Sequence, residues 1–160
     1  MKKRILGGAV AAFVTLPALG GALPTAAAGG NPDRTRVHTA AMDYHFMLED
    51  GSDFPKRLHR GKYRFTFENQ SKKRLHEIVM FKLRHGKTIK QLLKMPGKKA
   101  ERHLRFMGAS FAKPGREGKA FNAKLLPGRY VLLCFVQNRK NAPPHFTKGM
   151  LHRFNVFPRG

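Results

Sequence analysis

The sequence contains a single cysteine, Cys134, in 160 residues. An internal disulfide is therefore excluded. The lone thiol must be a metal ligand, a reactive group, an intermolecular bridge or a small buried hydrophobe. Acids are scarce too: 9 Asp and Glu stand against 32 Lys and Arg, for a formal net charge of +23. A field of that sign favours anionic partners such as phospholipid surfaces, acidic proteins or cell-wall polyanions, and says nothing about fold. The chain lacks any Lys/Arg–aromatic motif of a nucleic-acid module, so no nucleic-acid partner is expected. It also lacks internal repeats.

The N-terminus reads as an export signal. Lys2, Lys3 and Arg4 precede an apolar, Gly/Ala-rich run over 5–23, followed by Pro24-Thr25-Ala26-Ala27-Ala28-Gly29. A basic start, an apolar middle and an Ala-x-Ala ending are the parts of a cleavable signal peptide, here residues 1–28. Gly7, Gly8, Pro17, Gly20 and Gly21 disfavour a stable membrane anchor, and the absence of cysteine near the cleavage point excludes lipid modification. Cleavage leaves roughly 132 residues, enough for one domain with a real core and too few for two. The leader holds three of the basic residues and none of the acids, so the remainder carries +20. The expected location is secreted or periplasmic, with no transmembrane segment after cleavage.

Residues 29–41 are polar and read as a flexible tether. Over 42–48, Tyr44, Phe46 and Leu48 alternate with Asp43, His45 and Met47, a half-buried strand pattern. Beyond Gly61, Tyr63, Phe65 and Phe67 alternate with Arg64, Thr66 and Glu68, the cleanest strand in the chain. Asn69-Gln70-Ser71-Lys72 is a polar turn, and 76–83 follows as a strand apolar on both faces. From 86 to 119 the pattern changes: Thr88 is an N-cap candidate, Ile89, Leu92 and Leu93 have helical spacing, and Pro96-Gly97 is a stop. A second short helix is expected to include Leu104 and Met107. Ten Lys/Arg face two Glu in this stretch, which reads as a helical excursion around residues 87–108 packed on the sheet with a solvated basic face. Strands resume over 120–126, turn at Pro127-Gly128, return over 129–136 and close at 153–157. Short strands punctuated by Gly and Pro argue an all-β antiparallel sandwich, the domain spanning 42–160.

The chemistry concentrates in 128–150, GRYVLLCFVQNRKNAPPHFTKGM. Cys134 ends an apolar strand, and the spacing onward is Cys134-x10-His145-x4-Met150. A thiol, an imidazole and a thioether from one strand and its loop form a soft ligand set that suits copper better than any hard cation. His76 is the candidate fourth ligand.

From about Tyr63 onward these residues resemble the cupredoxins, the plastocyanin-like blue copper proteins. In that family the first histidine follows a strand and an Asn-containing turn, matched by Tyr63 to Asn69 leading to His76. The order Cys, His, Met around the last loop matches Cys134, His145 and Met150; Leu126-Pro127-Gly128-Arg129-Tyr130 and Gly149-Met150 also resemble the family. The resemblance implies a Greek-key sandwich holding one copper per chain between His76, Cys134 and His145, with Met150 as a weak axial ligand. It implies that His145 lies near the surface, in an apolar patch with Phe146, as the electron port. Pro143-Pro144 stiffen the loop ahead of His145. Two features depart from the pattern. The loop is much longer than in the smallest blue copper proteins, and the residue after the first histidine, often Asn in the family, is Glu77, which could tie the ligand loops together or compete as a ligand.

The function implied is a monomeric electron carrier with no catalytic residues, steered to an acidic redox partner or an anionic cell-surface component. A copper enzyme is not expected, because no two histidines stand two apart and a single domain lacks an inter-domain site. The alternatives are a copper-poor module whose basic face binds cell-wall polymer, lipid or an acidic protein, and copper delivery or storage.

Overall fold

The computed structural model describes residues 33–159. The expected export signal lies outside them. Nine strands form two sheets. The first, in the order β2-β1-β4-β7, is built from β1 (Thr35–Met42), β2 (His45–Leu48), β4 (Gly61–Asn69) and β7 (Arg116–Leu125). The second, in the order β3-β9-β8-β5-β6, contains β3 (Arg57–His59), β5 (His76–Leu83), β6 (Leu104–Ala112), β8 (Gly128–Leu133) and β9 (Leu151–Phe157). The sheets pack face to face as a sandwich. Tyr63, Phe65 and Phe67 of β4 bury against Ile78 and Met80 of β5, Tyr130 and Leu132 of β8, and Phe154 and Val156 of β9.

Three expectations need correction. The sheets are mixed, not purely antiparallel: β1 runs parallel to β4 and β3 parallel to β9. The tether expected over 29–41 is strand from Thr35, paired from Thr35↔Tyr63 to Ala41↔Asn69. Its small residues show no strong alternation, and its order comes from lying between β2 and β4, with Ala40 and Ala41 wholly buried. Leu104 and Met107 are not helical. The excursion consists of α1 (Ile89–Leu92) and α2 (Gly97–Glu101), after which the chain enters β6. Long-range pairing of β6 along the whole of β5 overrides the local helical spacing.

The excursion is held where it is by chemistry legible in its sequence. Thr88 and Gln91 form a reciprocal capping box at the start of α1. Ile89 and Leu92 pack on Val131 and Leu133, the outward-facing residues of β8, in a second apolar cluster. The outer face of the second sheet is thus covered over β8. The turn before β8 is locked by Tyr130, whose hydroxyl donates to Leu126 O at 2.7 Å and accepts from Leu126 N–H at 3.0 Å.

Candidate metal centre

Antiparallel pairing brings the start of one strand beside the end of its neighbour. β5 and β8 pair from Val79↔Leu133 to Lys82↔Tyr130, so His76, the first residue of β5, and Cys134, one residue past β8, meet at the same end of the sheet. Alternation turns both inward, in line with Ile78 and Met80 on one strand and Tyr130 and Leu132 on the other.

The long loop after Cys134 is closed at its base by backbone hydrogen bonds. His145 N–H donates to Val136 O at 2.9 Å and Phe146 N–H to Cys134 O at 2.9 Å. Met150 N–H donates to His145 O at 3.1 Å, and Cys134 N–H to Met150 O at 3.3 Å. Pro144, extended at φ −66° and ψ 156°, leads directly into a one-turn 3₁₀ helix, His145–Lys148. Gly149 ends that turn in the left-handed region at φ 106°, which lets the chain reverse into Met150 and β9.

Three donor atoms converge. His145 Nδ1 lies 3.2 Å from His76 Nδ1 and 3.5 Å from Cys134 Sγ, and His76 Nδ1 lies 4.0 Å from the same sulfur. All three residues are fully buried, and no other group of three His, Cys, Asp or Glu side chains converges so closely among the described residues. The point equidistant from the three atoms is about 2.1 Å from each, the length of metal–imidazole bonds and slightly under that of metal–thiolate bonds. Met150 is buried in the same core cluster as Cys134.

Burial keeps both imidazoles uncharged near neutral pH. Burial, then the nearby His145 and Arg74, lower His76 to about 4. Burial, then Lys148 and Arg74, lower His145. Burial pushes the Cys134 thiol up to about 11, against the opposing backbone N–H groups of Glu77 and Val136. The pocket therefore holds two neutral imidazoles and a thiol, and His76 Nε2 has no hydrogen-bond partner to fix which of its nitrogens carries the proton. A soft cation bound by the three donor atoms would displace the thiol proton.

The residues around the donor triangle have distinct tasks. Asn69 is fully buried; its amide donates to Arg74 O at 2.7 Å and Ala112 O at 3.0 Å, while its carbonyl accepts from Ser71 N–H at 3.1 Å. It thereby shapes the turn that delivers His76 two residues later. Glu77 does not reach the donor triangle. Its carboxylate accepts the Phe135 N–H at 2.8 Å, and its own N–H points at Cys134 Sγ at 3.5 Å. It ties the strand that carries His76 to the cysteine loop.

His145 does not lie at the surface as expected: the residue is 0 % exposed. Asn138, from the tip of the long loop, accepts from His145 Nε2 at 2.7 Å, and its amide donates to Tyr44 Oη at 3.1 Å. Tyr44 packs edge-on to His145 at 5.0 Å. Phe146 is half-buried and packs against Phe135 at 5.3 Å. Neither Asn138 nor Tyr44 stands out as a site residue in the sequence. Asn138 sits in a polar loop tip, Tyr44 is separated from it by 94 positions, and nothing local signals the contact.

No protein-family model matches the chain, and no curated protein does. Solved structures do. Reduced auracyanin from the photosynthetic bacterium Roseiflexus castenholzii superposes with a TM-score of 0.52 at 19% identity, over 78% of this chain and 98% of that one. Reduced rusticyanin gives a TM-score of 0.50 at 17% identity, over 76% of this chain and 79% of that one. A structure of rusticyanin variants gives 0.50 at 15% identity, over 80% and 84%. At these identities the shared property is the fold.

Proposed function

This chain has the cupredoxin fold, and on that premise we propose that it is an electron carrier in which His76, Cys134 and His145, together with Met150, would hold one copper. The observation that carries the proposal is the donor triangle: two imidazole nitrogens and one sulfur, all buried, at separations that suit a common metal. Two histidines, a cysteine thiolate and an axial methionine are the donor set of electron-transfer copper sites. Copper bound there supplies a one-electron couple. The chain keeps the donors in place through the Asn69 turn, the Glu77 tie and the zipped loop base, and it keeps water away by burying all of them. A rigid, dry pocket limits rearrangement when charge changes. Full burial of the ligands also favours retention over delivery of the metal.

The partner that fits a chain of net charge +23 is an acidic redox protein, with steering that acts on encounter rate and weakens as salt rises. The basic, apolar and Ala-rich leader supports export to a secreted or periplasmic location. No helix among the described residues is long and apolar enough to cross a membrane.

The test is a titration of the purified protein with Cu(II). The expected result is an intense thiolate-to-copper visible band that saturates at one metal per chain and is lost in Cys134→Ser. Colour that persists in Cys134→Ser would overturn the ligand assignment. Met150→Leu is expected to keep the metal and change the potential.

A further inference from the structure

We propose that the apolar groove between the α1–α2 excursion and the outer face of the second sheet docks an acidic partner protein through one protruding apolar side chain. The proposal rests on the carrier reading above and gives it a surface. The groove has a volume of about 460 Å³ and is walled by Leu93, Ala100 and Phe106, with Phe81, Leu133 and Phe135 among its lining. Leu133 and Phe135 flank Cys134 in sequence. A partner seated there is one residue from the sulfur donor.

Three observations favour this place over the imidazole edge. First, His145 is covered, with Tyr44 and Asn138 packed over its ring, whereas Phe135 is 42 % exposed and its backbone is fixed by Glu77. Second, exposed apolar surface concentrates here: Phe106 is 59 % exposed and Leu93 47 %. Both border the same concavity, and contiguous exposed apolar surface on a soluble domain marks an interaction site. An aromatic chain runs along it, with Phe106 to Phe81 at 6.0 Å and Phe81 to Phe135 at 6.3 Å.

Third, the charge around the groove selects the occupant. Lys90, Lys94, Lys98 and Lys99 are all exposed on the excursion that forms one wall, opposed there only by Glu101. A second copy of so basic a chain is repelled. An apolar concavity on a lysine-rich excursion, with Glu101 the one charged residue of its lining, suits a protein that presents one apolar side chain ringed by carboxylates that reach the outlying lysines.

The test uses a fluorescently labelled synthetic peptide of Asp and Glu carrying one central Phe, and a matched peptide with Ala in its place. Binding is followed by anisotropy with and without copper. The Phe peptide is expected to bind saturably and about tenfold more tightly than the Ala peptide. Phe106→Asn, which changes no charge, is expected to erase that preference, and so is Leu93→Asn. Phe111→Asn, on the same strand but outside the groove lining, is expected to leave it intact. Both phenylalanines are exposed, and thermal melts establish that the variants fold. Equal affinity for the two peptides, or equal effects of Phe106→Asn and Phe111→Asn, would overturn the proposal. So would release from phosphatidylglycerol vesicles by Phe106→Asn with peptide affinity unchanged, because the groove would then face lipid. The thiolate band of the same samples separates the two readings. A blue protein that ignores the peptides leaves the carrier standing without this surface. A colourless protein that prefers the Phe peptide leaves a docking module without the carrier.

Discussion

Asn138 Oδ1 accepts the proton on His145 Nε2 at 2.7 Å, and that contact decides which face of the imidazole is available to a metal. The orientation of the amide is itself set, because its nitrogen donates to Tyr44 Oη. With Nε2 holding the proton, Nδ1 presents its lone pair to Cys134 and His76. Asn138→Ala removes the acceptor. It is expected to weaken copper affinity by about 10- to 100-fold, the usual effect of losing the partner that orients a ligating histidine. Copper titration against a competing chelator checks this, and Asn138→Asp, which keeps an acceptor, is expected to restore most of the affinity. Equal affinity in wild type and Asn138→Ala would show that the contact does not orient the ring.

Glu77 separates two uses of a carboxylate beside a metal. Since its oxygen accepts the Phe135 N–H, Glu77→Gln should keep that bond and the thiolate band. Glu77→Ala leaves the Phe135 amide to water, because the contact is exposed, and is expected to cost about 0.5–1.5 kcal/mol. Chemical denaturation measures the loss. A band lost in Glu77→Gln but kept in Glu77→Ala would contradict this division.

Asn69 carries three hydrogen bonds in a fully buried site. Asn69→Asp cannot donate to Arg74 O and Ala112 O, and it places a carboxyl where two carbonyls point. The expected destabilisation is about 3 kcal/mol or more, with impaired copper uptake because the turn leading to His76 loosens. Thermal melts of the metal-free protein read the first effect, and metal stoichiometry the second. Unchanged melting would mean that other contacts shape the turn.

The stability of the metal-free protein should fall in mild acid. His76 has a pKa of about 4 in the fold against 6.5 for a free side chain, mainly because of burial. Above pH 6.5 neither state carries the proton and stability is flat with respect to this group. Between 6.5 and 4 the unfolded chain binds the proton and the fold does not, so stability declines as pH drops. Below 4 both states are protonated and the loss, about 3 kcal/mol for this group, is complete. His145 and His152, also lowered by burial, act in the same direction. Denaturant midpoints across this range test the sign. A midpoint that does not move would mean that these rings are open to water.

Copper affinity should respond to pH through the thiol. Cys134 is pushed up to about 11, so binding the metal releases its proton at any pH below that. Apparent affinity is expected to rise about tenfold per pH unit across the neutral range, after correction for the buffer. Cys134→Ser should flatten the slope.

Much of the architecture could be read where local chemistry and tertiary position agree. The alternation of Tyr63, Phe65 and Phe67 predicts β4, and the burial of that strand follows it residue by residue. Thr88 announces its helix because a cap is made within one turn. The strand over 35–42 and the assignment of Leu104 and Met107 to β6 were not legible, since their order depends on neighbours far away in the chain.

The sequence alone determined the donor types, their order and the basic character of the surface, because these are properties of residue identity and spacing. It also placed Cys134 at the end of a buried strand, because an apolar run of that length has few other uses. Only the tertiary structure decided that His145 is covered, that Glu77 binds backbone and not the donor triangle, and that an apolar groove opens beside Phe135. Each of these depends on side chains tens of positions apart meeting in space, and no periodicity in one strand records where another will lie.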